Sequence, residues 1–192
     1  MKGLIHEGNT VYLSLSGKTG RKTAFTLEMI QLPFTFVGVN TLRANLIVKR
    51  AIEQGRIPEL TDYDHLQTEK RYGTNSRIDI LLTDRRKTPC FIEVKNCTLV
   101  EEKIARFPDA VTSRGLKHLV DLQSEVKKGH RAIMFYLVNR MDAEAFRPAD
   151  DIDPVYGKEL RKAIKRGVEI FAWDVSIDTA GISVRRSLPC LL

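Results

Sequence analysis

The sequence predicts a mixed α/β protein: one mixed sheet with helices on both faces, preceded by a β-rich segment. Three observations carry that expectation. The elements run in the order helix, three strands, helix, strand, then helix and strands, which suits a sheet covered on both sides. Residues 131–139 hold the near-continuous apolar run Ala132-Ile133-Met134-Phe135-Tyr136-Leu137-Val138, the pattern of a strand buried on both faces between parallel neighbours. A late helix is clearly punctuated, with Asp153 as N-cap, Pro154 at the first position, Lys165 and Arg166 in the last turn and Gly167 beyond it.

In chain order, residues 10–15 alternate as a strand, 16–20 (Ser-Gly-Lys-Thr-Gly) turn, and strands follow at 25–32 and 34–39. This segment is too short to close a barrel alone. A helix is expected over 42–54, because Leu46, Ile47, Ala51 and Ile52 keep helical spacing and Gly55 offers a stop. Strands near 66–72, 77–82 and 90–95 are joined by the short turns 73–76 and 84–89, and they predict a meander. Residues 112–128 form a helix with Leu116, Leu119, Val120, Leu122 and Val126 on its inner side, closed at Gly129. Strands at 168–174 and 182–186 complete the chain, which has no internal repeat and no low-complexity stretch.

At 192 residues the chain can hold one good core, or one domain with a small appendage. No apolar run approaches the roughly 18 residues that span a bilayer, and the start, Met1-Lys2-Gly3-Leu4-Ile5-His6-Glu7, lacks the apolar core of a signal peptide. A cytoplasmic protein with no membrane partner is expected. The three cysteines, Cys90, Cys97 and Cys190, form no C-x-x-C pattern, so neither a disulfide framework nor a zinc site is indicated. Net charge is +7, with basic groups at Arg85-Arg86-Lys87, Lys127-Lys128, Arg161-Lys162, Lys165-Arg166 and Arg185-Arg186. A polyanion partner, nucleic acid above all, fits that balance; a merely solvated basic surface fits it too, since no stretch is dense enough for a basic arm.

The chemistry concentrates in residues 77–96, Arg-Ile-Asp-Ile-Leu-Leu-Thr-Asp-Arg-Arg-Lys-Thr-Pro-Cys-Phe-Ile-Glu-Val-Lys-Asn. Each of two apolar strands carries an acid, Asp79 and Glu93. Side chains alternate along a strand, so Glu93 and Lys95 share a face, Ile92 and Val94 take the other, and Asp79 faces opposite to Ile78 and Ile80. A turn symmetric about Arg86 makes Asp79 and Glu93 direct cross-strand neighbours, with Cβ atoms about 5 Å apart. Two carboxylates that close repel each other unless a positive charge lies between them. A divalent cation meets that need, and Mg²⁺ or Mn²⁺ held by one or two carboxylates and a substrate phosphate is the expected cofactor. Lys95 could stabilise developing phosphate charge or orient the attacking water. The carbonyl of Phe91 or of Val94 is a candidate further ligand. The competing reading is an ordinary hairpin in which Asp79 pairs with Arg77 or Lys95 at a wet edge.

Other polar groups carry less. Glu69 on the preceding strand and Glu59 after the first helix are surface acids or assistants to the metal. Arg114 and His118 are four apart on one helix face and could hold a phosphate or a water there. His6, His65 and His130 have no partner pattern, and Asp150, Asp151 and Asp153 are explained by a loop and a cap.

An acid on one strand followed by Glu-x-Lys on the next resembles the PD-(D/E)xK nuclease superfamily, although Arg77-Ile78 stands where its Pro would precede Asp79. A closer resemblance covers nearly the whole chain: Val39-Asn40-Thr41-Leu42, Tyr72-Gly73 with Ser76-Arg77-Ile78-Asp79, Ile92-Glu93-Val94-Lys95, Phe107-Pro108-Asp109-Ala110-Val111-Thr112 with Arg114-Gly115 and Lys117-His118-Leu119, and Gly167-Val168-Glu169-Ile170. Together these resemble the sugar fermentation stimulation protein family of bacteria and archaea. The resemblance implies a partial OB-fold-like segment over residues 1–39 and a restriction-endonuclease-like domain over 40–192. It implies DNA as partner, Asp79 and Glu93 as metal ligands, Lys95 as catalytic lysine with Glu69 assisting, and Arg114, Lys117, His118 and Arg86 as DNA contacts. The rival class is a non-catalytic DNA-binding regulator of sugar metabolism genes; a sugar-processing enzyme finds no motif. Met1 to Ile5 resemble the end of a Cys-Pro-Asn-Thr-Gly-x-Met segment internal to the family, so the OB-like segment is expected to be incomplete. Its apolar residues Val11, Leu13, Leu15, Phe25, Leu27, Phe34 and Phe36 would then need cover from missing strands, from the following domain or from a second copy in a homodimer.

Overall fold

The computed structural model describes residues 4–16, 20, 22–72 and 76–192. Met1 and parts of the two expected turns, 17–19 and 73–75, lie outside the described residues. Twelve strands and three α-helices are formed by the described residues. Strands β1 (Val11–Leu15), β2 (Phe25–Leu32) and β3 (Thr35–Gly38) make an antiparallel N-terminal sheet. Helix α1 (Thr41–Glu53) follows, capped by the Asn40 side chain, which accepts from Leu42 N at 3.1 Å. Then come β4 (His65–Tyr72), β5 (Ser76–Thr83), β6 (Cys90–Cys97), β7 (Leu99–Glu101), β8 (Ile104–Phe107), α2 (Ser113–Lys127), β9 (Arg131–Val138), β10 (Ala145–Pro148), α3 (Pro154–Lys165), β11 (Glu169–Ile177) and β12 (Ile182–Ser187).

The central sheet has six strands in the order β12-β11-β9-β6-β5-β4. Strand β9 runs parallel to both β6 and β11, and the expected meander β4-β5-β6 is antiparallel. The mixed fold class is therefore as expected. On one face α1 buries Ala44, Ile47, Val48, Ala51 and Ile52 against Ile80, Ile92, Ile133 and Phe135. On the other, α2 and α3 bury Leu119, Leu122, Tyr156 and Leu160 against Phe91, Met134 and Tyr136. Asp153 ties the two helices of that layer together: Oδ1 accepts from Tyr156 N as the N-cap of α3, and Oδ2 accepts from Thr112 N at the start of α2, each at 2.9 Å.

Three local expectations are corrected. Val120 is 51% exposed, because the buried face of α2 runs through Gly115, His118, Leu119 and Leu122 and position 120 lies about 100° round from 119. Leu46 sits at the edge of the α1 face and is 37% exposed. A third small sheet, β10-β8-β7, was not legible, since strands of three and four residues are too short to display a period.

The N-terminal sheet docks at the end of β9. Gly38 N donates to the Asn139 carbonyl at 2.9 Å, and a Cβ at Gly38 would sit 2.4 Å from the Asn139 side chain. Met29, Tyr12 and Phe36 join the α1-side core. Val11, Leu13, Leu15 and Phe25 are exposed, as is Phe34, so only part of the apolar set expected to need cover is packed.

Candidate functional site

The backbone pairing between β5 and β6 stops at Ile80 opposite Ile92, while β5 stays paired with β4 as far as Ser76 and β6 stays paired with β9 as far as Cys97. The sheet therefore divides just beyond Ile80 and Ile92. The three β5–β6 pairs follow the register symmetric about Arg86, which puts Asp79 and Glu93 at the mouth of the division. Glu69, across from Asp79 by the β4–β5 register, has φ 55°, a left-handed backbone that costs a non-glycine residue about 1 kcal/mol or more. Ile80 packs into the α1-side core and Ile78 into the α2-side core, so β5 turns over at Asp79. That corrects the expectation that Ile78 and Ile80 share a face; simple alternation fails where the strand twists out of the sheet.

Asp79 is held from the α1 side. Its Oδ1 accepts from Asn45 Nδ2 at 2.7 Å and its Oδ2 accepts from Val94 N at 2.8 Å, so the side chain takes a backbone donor that the sheet no longer uses. Burial, then the charge of Glu93, push Asp79 up to about 6 against the two hydrogen bonds and Lys95. Glu93 is held from the α2 side and is only 2% exposed. Its Oε1 accepts from Lys95 Nζ at 2.8 Å and touches His118 Nδ1. Burial raises Glu93, but the bonds from His118 and Lys95 outweigh it and hold the carboxyl below its ordinary value. Lys95 Nζ also lies 2.9 Å from His118 Nδ1, and Arg114 Nε donates to His118 Nε2 at 3.5 Å. The imidazole thus connects a surface guanidinium to the buried carboxylate.

The other carboxylate oxygen is bare. Glu93 Oε2 is buried and has no hydrogen-bond partner among the described residues, and the same is true of the Tyr72 hydroxyl. Burial, then the charges of Glu93, Asp121 and Asp79, raise the Tyr72 phenol far above its usual range. A buried carboxylate oxygen without a donor costs about 1–3 kcal/mol, so this atom is suited to a cation or an ordered water. Oxygen donors from Asp79 and Glu93 suit Mg²⁺ or Mn²⁺, whose other positions would be taken by water, a backbone carbonyl or phosphate. Among the described residues no group of three His, Cys, Asp or Glu side chains forms a closed metal cage.

Of the residues picked out in the sequence, Asp79, Glu93, Lys95 and His118 are brought together. His118 is 6% exposed, and so it contacts the carboxylate instead of facing solvent. Arg114 is exposed above it. Lys117 lies at the rim, bonded to Asp121 at 2.9 Å and to Ser76 Oγ. Glu69 is exposed on β4. Arg86 is at the turn end of the hairpin, by a cleft shared with Tyr63, His130 and Arg131, and is not part of this cluster. Asn45 and Tyr72 were missed. Nothing in the sequence marks Asn45, which reaches Asp79 across 34 residues of chain.

Several of the basic groups are spoken for. Arg185 and Arg186 both bond the fully buried Asp174, Arg161 pairs with Asp150, Lys87 with Asp62 and Lys162 with Glu159. None of the described helices is long and apolar enough to cross a membrane.

Comparison with known proteins adds independent findings. A family model described as the sugar fermentation stimulation protein RE domain matches residues 42–181, and one described as the SfsA N-terminal OB domain matches residues 1–39. A sugar fermentation stimulation protein homolog from Nitrosococcus oceani is 49% identical over 192 residues, covering 98% of this chain and 82% of the relative. One from Citrifermentans bemidjiense is 45% identical, covering all of this chain and 83% of the relative. The solved structure of Pyrococcus furiosus SfsA in complex with Ca²⁺ superposes with a TM-score of 0.89 at 26% identity, covering 98% of this chain and 80% of that one.

Proposed function

Since the chain belongs to the sugar fermentation stimulation protein family, we propose that it is a DNA-binding protein whose Asp79, Glu93 and Lys95 form a divalent-cation site for phosphodiester hydrolysis. The observation that carries this reading is the bare, buried Glu93 Oε2 beside a crowded Asp79 at the point where the sheet opens. The Pyrococcus furiosus relative was solved in complex with Ca²⁺, and a divalent cation bound by that protein supports reading this cluster as a cation site. Asn45 and Val94 N orient Asp79, while Lys95 and His118 fix Glu93 so that Oε2 is left free for the cation. When bound, Mg²⁺ or Mn²⁺ supplies Lewis-acid stabilisation of charge on a phosphodiester. Lys95 presents an ammonium group beside that position and can stabilise charge developing on the phosphate oxygens. Because Asp79 titrates near 6, cation affinity should rise from mildly acidic to neutral pH as the carboxyl loses its proton.

A second reading, a DNA-binding regulator without catalysis, is favoured by one observation. Lys95 and His118 already satisfy Glu93 Oε1, so the trio can stand as a structural ion cluster. Incubation with supercoiled, linear and single-stranded DNA in Mg²⁺ or Mn²⁺, against a chelator, separates the two. The nuclease reading expects cation-dependent cleavage that is lost in Lys95→Ala and Asp79→Asn. Binding without cleavage under every cation would establish the regulator, and cleavage that survives in Lys95→Ala would sink the assignment.

A further inference from the structure

Arg71 and Arg77 are direct cross-strand partners near the turn end of the β4–β5 hairpin, beyond the point where β5 leaves β6. Both are exposed, and neither makes an ion pair or side-chain hydrogen bond among the described residues. Like charges placed opposite each other on antiparallel strands repel, so the pair is a local liability. Several other arginines do have an acid, Arg43 with Glu28, Arg131 with Glu169, Arg161 with Asp150, and Arg185 and Arg186 sharing Asp174, so this pair differs from those in being left to solvent.

Position explains what the pair is for. Tyr72 and Ser76 flank the arginines, are themselves partners, and are buried, with Ser76 bonded to Asp121 on α2. Alternation along the strands therefore sends Arg71 and Arg77 to the opposite side, the side from which Asn45 of α1 holds Asp79. Arg77 lies two residues, roughly 7 Å, before Asp79 on the same strand. Two unpaired guanidinium forks at that spacing suit the oxygens of backbone phosphates, which they can grip bidentately. We infer that Arg71 and Arg77 clamp the DNA backbone beside the phosphate presented to Asp79 and Glu93, independently of base sequence. The inference rests on the reading of the site as one that receives a phosphodiester, and it adds the residues that set where the strand lies.

The test measures affinity for a duplex against salt by fluorescence anisotropy, with Ca²⁺ present to prevent turnover. Each phosphate contact contributes about 0.9 to the slope of log K against log salt, so Arg71→Ala/Arg77→Ala should lower the slope by about 2. The loss should be equal across unrelated sequences. Lys127→Ala/Lys165→Ala removes the same charge from exposed last turns of α2 and α3 and should leave the slope alone. Relief of repulsion should also raise the melting temperature of the arginine variant at low salt, with the gain disappearing at high salt. An unchanged slope, or an equal fall in the lysine control, overturns the clamp. In that case persistent cation-dependent stabilisation of the arginine variant keeps the reading of the Asp79 and Glu93 site intact. If the unaltered protein binds no duplex at low salt, both fail together.

Discussion

Replacing Asp79 by asparagine should make the cation-free protein more stable at neutral pH. The folded state holds the Asp79 proton up to about 6, whereas the unfolded chain releases it near 3.8. Between those values the folded state binds more protons, so stability falls as pH rises through the window. The penalty is absent below the lower value and complete above the upper one. A shift of about two units corresponds to ~3 kcal/mol, and water reaching a half-buried carboxylate reduces this to about 1–2 kcal/mol. Asparagine preserves the shape. Its carbonyl can accept from Val94 N and its amide can donate to a rotated Asn45, so both hydrogen bonds survive. Urea unfolding in chelator should therefore place the variant's midpoint roughly 0.5–1 M above wild type near pH 8, with convergence near pH 4. Millimolar Mg²⁺ should reverse the order, because a ligand at about 100 times its Kd adds ~2.7 kcal/mol to the wild type alone. Equal midpoints at every pH, or equal gains from Mg²⁺, would refute the description of Asp79 as a crowded carboxylate that a cation relieves.

Tyr72→Phe removes a buried hydroxyl that has no partner, so cation-free stability should stay level or rise by up to about 1 kcal/mol in thermal or chemical unfolding; a larger loss would mean that the hydroxyl is satisfied by water. Gly38→Ala drives a methyl group into Asn139, whose amide donates to Asn96 Oδ1 at 3.0 Å, and should cost about 1–3 kcal/mol while speeding hydrogen exchange in the N-terminal sheet. Unchanged exchange would show that the docking of that sheet does not depend on this contact. Leu13→Thr, on the exposed face shared with Val11 and Leu15, should change stability by under about 0.5 kcal/mol and reduce self-association in sedimentation runs. A loss of more than about 2 kcal/mol there would mean that the face is covered in solution.

Much of the fold was legible because its signals are local. The N-cap and Pro of α3, the double-sided apolar run of β9, and the register of the β5–β6 hairpin each depend on residues close in sequence, where period and turn length act directly. Glu93 and Lys95 shared the predicted face for the same reason. The errors came where a neighbour distant in sequence decides. Which α2 residues are buried follows from how the helix is rolled against β6 and β9, and His118 is inside because Glu93 and Lys95 receive it.

What the sequence by itself determined was a set of residues: two acids and a lysine on adjacent strands, at a spacing that makes the acids neighbours when the turn is symmetric about Arg86. Only the tertiary structure decided what they become. The sheet divides beyond Ile80 and Ile92 because β5 stays with β4 while β6 stays with β9, and no local pattern encodes a choice between two partners. Asn45 arrives at Asp79 from a helix, Lys95 and His118 crowd one oxygen of Glu93, and the other oxygen is left bare. Hydrogen-bond satisfaction in a buried site is a property of everything packed around it, so an unsatisfied atom can be recognised only once every neighbour is in place.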